Sequence, residues 1–240
     1  MPDELSPMPL VLMYHSVEAY EADPYQVTVH PGRFDRQLHW LRRRGLRGVA
    51  MCELLEACRA GRARGLVGLT FDDGYRDFLT EVLPALRRHG FTATVFVVAG
   101  SLGGYNAWDE PGPRKELMTA AEVRRVAAAG MEIGSHSLSH VHLPRVGEEE
   151  LLDQVRHSRL ILTEITGSAV TGFCYPYGDA GPREIRAVEE TGYDYACAVH
   201  VSGPAGRHAI PRTFIGDRDT APRLVAKLAR HRLTTGRAGR

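Results

Sequence analysis

Short apolar runs alternate with amphipathic stretches along most of the chain. The runs at residues 9–14, 66–71 and 91–98 are apolar at nearly every position, which is typical of buried strands. Between such runs, apolar residues recur at helical spacing, as Phe34, Leu38 and Leu41 do. The pattern predicts strands at 9–14, 66–71, 91–98, 131–134, 171–175, 194–199 and 210–215. It predicts helices at 34–45, 51–61, 78–89, 119–130, 147–166, 182–192 and 224–233.

This alternation of strand and helix, repeated about seven times, predicts a parallel α/β fold. The polar clusters follow predicted strands and do not precede them. A barrel collects its active site at the carboxyl ends of many strands, whereas an open sheet collects it at one switch point. We therefore expect a distorted (β/α) barrel of about seven parallel strands. We expect residues 1–240 to form a single domain, with a short N-terminal extension and a basic C-terminal helix and tail.

Composition and charge exclude several classes of partner. Thirty lysines and arginines against 29 acidic residues leave a formal charge of +1, so no global field favours nucleic acid or an anionic membrane. The four cysteines form no CxxC pair, which indicates thiols in a reducing compartment. The first apolar run is too short for a signal peptide or a membrane span. We expect a cytoplasmic protein without a transmembrane segment, or an extracellular one if the start codon is misassigned. The oligomeric state stays open.

The strand at residues 66–71 ends in two adjacent carboxylates, Asp72 and Asp73, and a glycine. Neighbouring carboxylates repel each other and are costly to bury unless another charge offsets them. A bound cation would do so, with one aspartate as its ligand and the other free to transfer a proton. An Asp-Asp-Gly surface turn is the alternative for the tripeptide alone.

His136 and His140 form a second candidate pair. On a helical turn, positions i and i+4 share one face and can present two imidazoles to one ion. With Asp73 they give two nitrogens and one oxygen, the set of a catalytic zinc site that keeps one position open for water. We therefore expect one divalent metal, zinc in the first place, although the same ligands accept cobalt or nickel. Two solvent-facing histidines in a polar loop are the alternative.

Three motifs, in this order, resemble those of the polysaccharide deacetylases, which are carbohydrate esterases of family four with a NodB homology domain. They are Thr70-Phe71-Asp72-Asp73-Gly74, His136-Ser137-x-x-His140 and Tyr175-Pro176-Tyr177-Gly178. The opening Leu12-Met13-Tyr14-His15-Ser16-Val17 is similar to the branch that includes the poly-N-acetylglucosamine deacetylases. The resemblance covers about residues 9–214.

The resemblance implies a metal-dependent hydrolase that removes acetyl groups from N-acetylated or O-acetylated sugars on a distorted (β/α) barrel. It gives Asp72 the role of general base and makes Asp73, His136 and His140 the metal ligands. It implies that the backbone N–H of Tyr177 helps to stabilise the oxyanion of the reaction. The implied partner is an acetylated carbohydrate or glycoconjugate, and nucleic acid is not expected.

The position that normally carries the motif arginine is a departure from the family pattern. Two residues before the motif proline, where the family has that arginine, this chain has Cys174. We expect Arg212 to replace it from another strand, because a fixed guanidinium would keep Asp72 ionised. A surface arginine is the alternative.

A second departure concerns the general acid. Nothing after Tyr177 matches the late leucine-x-histidine motif that normally supplies it. The early His15 is the first candidate, because it follows the first strand and the resembling branch uses its early histidine in this way. His200 is the second candidate and His208 the third, with an ordinary loop histidine as the alternative for each.

Several aromatic residues are candidates for the walls around a sugar ring. Tyr105, Trp108 and Tyr177 are the first choices, and Tyr75 and Tyr14 are additional ones. Ordinary packing is the alternative for all five.

The sequence therefore predicts a sugar deacetylase, a hydrolase of carbon–nitrogen bonds other than peptide bonds, whose favoured substrate unit is an N-acetylhexosamine. Two alternatives stay open. One is an acyl-sugar esterase or a deformylase acting on a glycoconjugate, since no residue separates an amide from an ester. The other is a catalytically silent carbohydrate-binding barrel, favoured if the two departures disable the site.

Overall fold

The computed structural model describes residues 8–202 and 205–235. The predicted N-terminal extension and the last residues of the predicted C-terminal tail lie outside the described residues. The strands are β1 (Val11–Tyr14), β2 (Ser16–Val17), β3 (Thr28–Val29), β4 (Arg47–Val49), β5 (Leu66–Phe71), β6 (Thr94–Val97), β7 (Glu132–Ser135), β8 (Gly172–Cys174), β9 (Asp179–Ala180), β10 (Tyr195–Ala198), β11 (His200–Val201), β12 (Ile210–Pro211) and β13 (Thr213–Phe214). The α-helices are α1 (Pro31–Arg43), α2 (Met51–Arg59), α3 (Leu83–His89), α4 (Ala120–Ala128), α5 (Glu148–Thr166), α6 (Pro182–Glu190) and α7 (Ala221–Thr235).

A parallel sheet forms the body of the fold. In the described part of the chain its strands follow the order β12-β10-β8-β7-β6-β5-β1-β13, and β4 pairs with β5 beside this path. All of these pairings are parallel. The two end strands, β12 and β13, are neighbours along the chain, so the sheet nearly closes into a ring. The predicted (β/α) barrel is confirmed.

The ring closes at one residue, Arg212. Before it, β12 pairs with β10, and after it, β13 pairs with β1. The strand predicted at 210–215 is therefore split in two, because the backbone changes its partner at Arg212. This split gives a path of eight strands where about seven were predicted.

The apolar residues form two cores. The larger one contains Leu69 and Phe71 and packs between the sheet and the helices. The smaller one, with Phe96 and Tyr195, fills the barrel interior, where glycines on neighbouring strands leave room for the rings. A Cβ added at Gly134 would lie 2.4 Å from the ring of Phe96.

Alternation along β5 determines where its polar side chains point. Successive side chains of a strand face opposite sides. Leu69 and Phe71 belong to the larger core, so Thr70 and Asp72 face the barrel interior at its carboxyl end. The buried carboxylate of Asp72 therefore follows from the register of the strand.

The helix predicted at 78–89 begins differently from the prediction. Its first turn, Phe78–Val82, is a π-helix in which the Leu83 amide donates to the carbonyl of Phe78. Pro84 has no amide hydrogen, so the regular bond at that position is missing and the wider turn absorbs the gap. Among the described helices, none combines the length and the apolar character needed to span a membrane.

A buried polar network ties this π-helical turn to the first strands. Asp77 accepts hydrogen bonds from the Ser16 hydroxyl at 2.6 Å and from the Val17 amide at 3.0 Å. Lys115 donates to the same hydroxyl at 3.1 Å and also pairs with Glu18. Burial raises the pKa of Asp77 to about 6, although the two hydrogen bonds oppose the rise. The folded protein therefore binds the proton of the Asp77 carboxyl more tightly than the unfolded chain does.

This raised pKa makes the contribution of Asp77 to stability dependent on pH. The contribution is fully present below the ordinary carboxyl pKa of 3.8 and is lost as the pH rises through about 6. We expect Asp77→Asn to become more stable than the wild type by up to about 2 to 3 kcal/mol above pH 6, and to lose that advantage near pH 4. Urea unfolding of both proteins between pH 4 and pH 7.5 measures the difference.

Glu164→Gln, which removes an exposed carboxylate on α5, is the control for this series. A difference between the wild type and Asp77→Asn that stays constant over the whole pH range would contradict the assignment.

Candidate active site

The predicted polar residues meet at the carboxyl end of the barrel. His15 follows β1, Asp72 and Asp73 follow β5, and His136 follows β7. Because parallel strands end on the same rim, residues that are far apart in sequence become neighbours here.

Asp73 lies between the two histidines of a cluster of three side chains that could hold a metal ion. Its Oδ1 atom is 3.4 Å from Nε2 of His136 and 3.3 Å from Nε2 of His140. All three side chains are buried, and their ligand atoms lie within 4.8 Å of one another. Burial raises the pKa of Asp73, but the two imidazoles outweigh it and hold that pKa well below its usual range. Asp73 is therefore a carboxylate in this site.

A hydrogen bond fixes how His136 faces that carboxylate. Its Nδ1 lies 2.8 Å from the backbone carbonyl of Cys174, which accepts only from a protonated nitrogen. In a neutral ring, Nε2 would then present a lone pair toward Asp73, as metal-ligating imidazoles do when the other nitrogen is held by a carbonyl. Oδ1 of Asp73 is buried and has no hydrogen-bond partner among the described residues. A cation between these atoms would satisfy both, so the residues fit a divalent metal.

The way in which His140 reaches this site differs from the prediction. Residues 136–140 form no helical turn, so the i, i+4 interpretation of the pair was wrong. The chain instead turns back through left-handed backbone at Ser137 (φ 65°) and His140 (φ 58°). The Ser137 hydroxyl accepts from the His140 amide at 3.1 Å and holds this turn.

Strained backbone is concentrated at this rim. Asp73 (φ 71°) and Tyr177 (φ 60°) join Ser137 and His140 in the left-handed region, where side chains other than glycine are uncommon. Such conformations cost about 1 to 3 kcal/mol each and cluster at functional sites. Four of them around one carboxylate mark this rim as the functional part of the fold.

Arg212, the predicted replacement of the motif arginine, contacts the carboxylate of Asp72. Nη1 and Nη2 of Arg212 donate to the two carboxylate oxygens of Asp72 at 2.6 and 2.8 Å. Nη1 also donates to the Thr70 hydroxyl at 3.2 Å. Burial raises the pKa of Asp72, but the guanidinium outweighs it and holds that pKa below its ordinary value. A bidentate pair of this kind also fixes the orientation of the carboxylate.

Cys174 lies in contact with both Arg212 and Asp72. Its Sγ is 3.0 Å from Nη2 of Arg212 and 3.7 Å from Oδ2 of Asp72. Asp72, His136 and Cys174 thus form a second set of possible ligands. The guanidinium lies against two of the three, and its positive charge would repel a second cation. The set around Asp73 is therefore the one that fits a metal.

The three candidate histidines occupy different places. His15 is largely buried, with Nε2 3.9 Å from Oδ2 of Asp72. His200 is exposed on β11, which pairs with β9 beside the barrel. His208 precedes β12, at the amino ends of the strands and opposite the rim. There, its Nε2 is 2.8 Å from the carbonyl of Tyr193. Only His15 of the three contacts the carboxylate pair.

Two of the five candidate aromatic residues face the metal-ligating set. Trp108 stacks on the ring of His140, with 4.4 Å between the ring centroids, and Tyr177 meets the same ring edge-on at 4.8 Å. Tyr14 and Tyr75 are fully buried, and Arg114 covers the ring of Tyr105 at 3.8 Å. Trp108 and Tyr177 are therefore the residues available as walls.

The sequence did not predict the residue that packs against the ring of Tyr177. The ring of His142 stacks on it at 3.8 Å and nearly parallel, and Nδ1 of His142 lies 3.5 Å from Oδ2 of Asp179. His142 falls outside the spacing of His136 and His140, so the histidine motif does not point to it. No pattern in the chain indicated that it would support an aromatic ring.

Comparison with known proteins agrees with this geometry. Residues 60–196, more than half of the chain, match the family model described as polysaccharide deacetylase. The poly-beta-1,6-N-acetyl-D-glucosamine N-deacetylase of Escherichia coli K12 is 27% identical over 247 residues, which cover 87% of this chain and 36% of that protein. This chain thus spans only about a third of the length of the Escherichia coli protein.

Two solved structures share the fold. The deacetylase PplD of Streptococcus pyogenes, in complex with acetate, has a TM-score of 0.77 and 20% identity, covering 92% of this chain and 97% of that one. IcaB from Ammonifex degensii has a TM-score of 0.77 and 23% identity, covering 92% and 96%.

The geometry around Asp73 predicts how the protein binds metal. We expect chelator-stripped protein to take up one zinc ion per chain. We expect Asp73→Ala or His140→Ala to weaken binding by about a hundredfold or more, because each removes one of three ligands. Isothermal titration with zinc measures both the stoichiometry and the affinity.

His142→Ala is the matched control, because it removes a neighbouring histidine that lies outside the set. Unchanged zinc affinity in the Asp73 and His140 variants would show that the ion binds elsewhere.

Proposed function

The chain belongs to the polysaccharide deacetylase family, and we propose that it is a metal-dependent hydrolase that removes acetyl groups from N-acetylated sugars. The observation that carries the proposal is the division of labour between the two adjacent aspartates. Asp73 faces two imidazoles, whereas Asp72, held by Arg212, stays outside that set. One carboxylate is thus arranged to hold an ion and the other to move a proton.

Asp73, His136 and His140 would hold the divalent ion in this proposal. When bound, the ion supplies Lewis acidity, which lowers the pKa of water and polarises a carbonyl group. Zinc is the ion we propose, because two nitrogens and one oxygen form the ligand set of catalytic zinc sites. Cobalt and nickel accept the same ligands.

Asp72 is the proposed general base. It is buried, ionised and fixed by the guanidinium of Arg212, so its free lone pairs can accept the proton of the attacking water. Arg212 acts here as a positioning residue that keeps the carboxylate charged. It supports an active barrel over a catalytically silent one, since the missing motif arginine has a replacement.

His15 is the proposed general acid. Its Nε2 lies 3.9 Å from Oδ2 of Asp72, so the proposed acid and base are adjacent and would face the same reacting group of a bound substrate. An amine is a poor leaving group unless it gains a proton, which Nε2 would donate. The backbone N–H of Tyr177 would donate to the carbonyl oxygen as negative charge develops there.

The sugar would lie against Trp108 and Tyr177. Tyr177 is 44% exposed, so its ring is accessible, and Trp108 is partly exposed beside it. Carbohydrates pack their apolar faces on such rings. We propose an N-acetylhexosamine unit as substrate, in keeping with the named activity of the Escherichia coli relative.

Acetate release tests the proposal directly. We expect zinc-loaded protein to release acetate from N-acetylglucosamine oligomers, and an O-acetylated sugar measured beside them decides between amide and ester. We expect Asp72→Asn to bind zinc normally but to lose about 100- to 10,000-fold in kcat, because only the base is removed. Asp153→Asn, which removes an exposed carboxylate on α5 away from the rim, is the matched control.

Two outcomes would count against this function. Normal turnover by Asp72→Asn would exclude Asp72 as the base. Oligosaccharide binding without acetate or formate release, in the presence of zinc or cobalt, would favour the silent barrel instead.

The role of His15 makes a separate prediction about the leaving group. We expect His15→Gln to slow hydrolysis of an N-acetyl amide by about 100-fold or more while changing hydrolysis of p-nitrophenyl acetate little. The reason is that nitrophenolate leaves without a proton, whereas an amine does not. Steady-state kinetics on both substrates measures the ratio.

His200→Gln provides the comparison for this pair of substrates. Equal losses on the amide and the ester in His15→Gln would assign His15 a positioning role instead.

A further inference from the structure

A cationic groove lies on the outside of the barrel, apart from the rim. It has a volume of about 530 Å³ and runs between α1 and the start of α7, and we call it the α1–α7 groove. Arg33, Arg36, Arg43 and Arg44 line it together with Trp40. The proposed hydrolysis uses none of these residues.

The positive charge of this groove is not balanced within the fold. Across residues 8–202 and 205–235, no carboxylate lies within ion-pair distance of any of these four guanidinium groups. Asp35, the acidic residue of α1, instead lies 3.1 Å from Arg88 and 3.2 Å from His89. Like charges that share a groove repel each other, so an external anion would stabilise this face.

The other groups at the groove do not reverse this charge. Asp219 lines it, but that carboxylate is buried and already accepts from the amide of Gly216 at 2.8 Å and from Nζ of Lys227 at 2.5 Å. Thr220 and Ala221 bring the N-terminus of the 15-residue helix α7 to the groove, and its dipole adds positive potential. Arg33 Nε is buried and has no hydrogen-bond partner among the described residues.

We propose that the α1–α7 groove binds the phosphate group of a phosphorylated ligand, independently of the catalytic site. Guanidinium forks match the oxygens of phosphate in pairs, and several forks around one groove suit a group with two negative charges. A helix N-terminus at the same place offers further donors to that group. The net charge of +1 gives no indication of this local positive charge, because acidic residues elsewhere in the chain offset the arginines of the groove.

The shape of the groove favours a discrete ligand over a lipid surface. A cavity of about 530 Å³ is the size of a small-molecule site and exceeds what a bare phosphate fills. Trp40 offers an aromatic face beside the arginines, although Arg44 lies over part of it at 4.9 Å. A membrane-binding face would instead present apolar side chains on a convex surface.

Isothermal titration at low salt tests this proposal on the full chain. The probes are glucosamine 6-phosphate, glycerol phosphate and inorganic phosphate, with glucosamine as the control that lacks the phosphate group. We expect phosphate-bearing probes to bind, to weaken with added salt, and to lose at least about tenfold in affinity in Arg36→Gln/Arg43→Gln. Both substitutions lie at exposed positions, so the fold should survive them.

Arg124→Gln/Arg125→Gln removes two exposed arginines from α4 and is the matched control, for which we expect unchanged binding. Tighter binding of a sugar or glycerol phosphate than of inorganic phosphate would support an organic phosphate as the ligand, and equal binding would support free phosphate. Three results would overturn the proposal: no binding of any phosphate, equal binding by the groove variant, or binding only to vesicles of phosphatidylglycerol and phosphatidylcholine.

Discussion

Two adjacent carboxylates are buried at the end of β5, and the site depends on how each one is compensated. Asp72 receives the guanidinium of Arg212 in a bidentate pair, and Asp73 faces the imidazoles of His136 and His140. Without such partners, burial would raise the pKa of both groups and leave them protonated. The different partners give two chemically identical residues two different electrostatic environments.

Arg212 links this compensation to the closure of the barrel. It lies between β12 and β13, where the chain passes from one edge of the sheet to the other. Its side chain points inward to Thr70 and Asp72, which share the inner face of β5. Arg212, at which the ring of strands closes, therefore also keeps the carboxylate of Asp72 ionised.

Much of this arrangement follows from the sequence. The apolar run at 66–71 fixes the strand, and alternation along it turns Asp72 inward, so the carboxylate pair and its place on the rim were predictable. The family motifs indicated His136 and His140, and the need for a cation near Asp72 indicated Arg212. Local patterns were sufficient for Asp72, Asp73 and His136 because each directly follows a strand, and for Arg212 because it interrupts one.

Other features depend on tertiary contacts that no local pattern reports. The left-handed turns at Ser137 and His140 replace the expected helical turn, and the Gln154 side chain on α5 holds them by accepting from the amides of Leu138 and Ser139. The proximity of Cys174 to Arg212, and the stacking of His142 on Tyr177, likewise join residues that are distant in sequence or had no expected role.

The late position of Arg212 has a consequence for protein synthesis. A nascent chain that ends before Ile210 already contains Asp72, Asp73, His136 and His140, but it lacks the counter-ion of Asp72 and the segment that closes the sheet. Asp72 therefore gains its guanidinium partner, and the sheet its closing segment, later in synthesis than the cluster around Asp73 is complete in sequence.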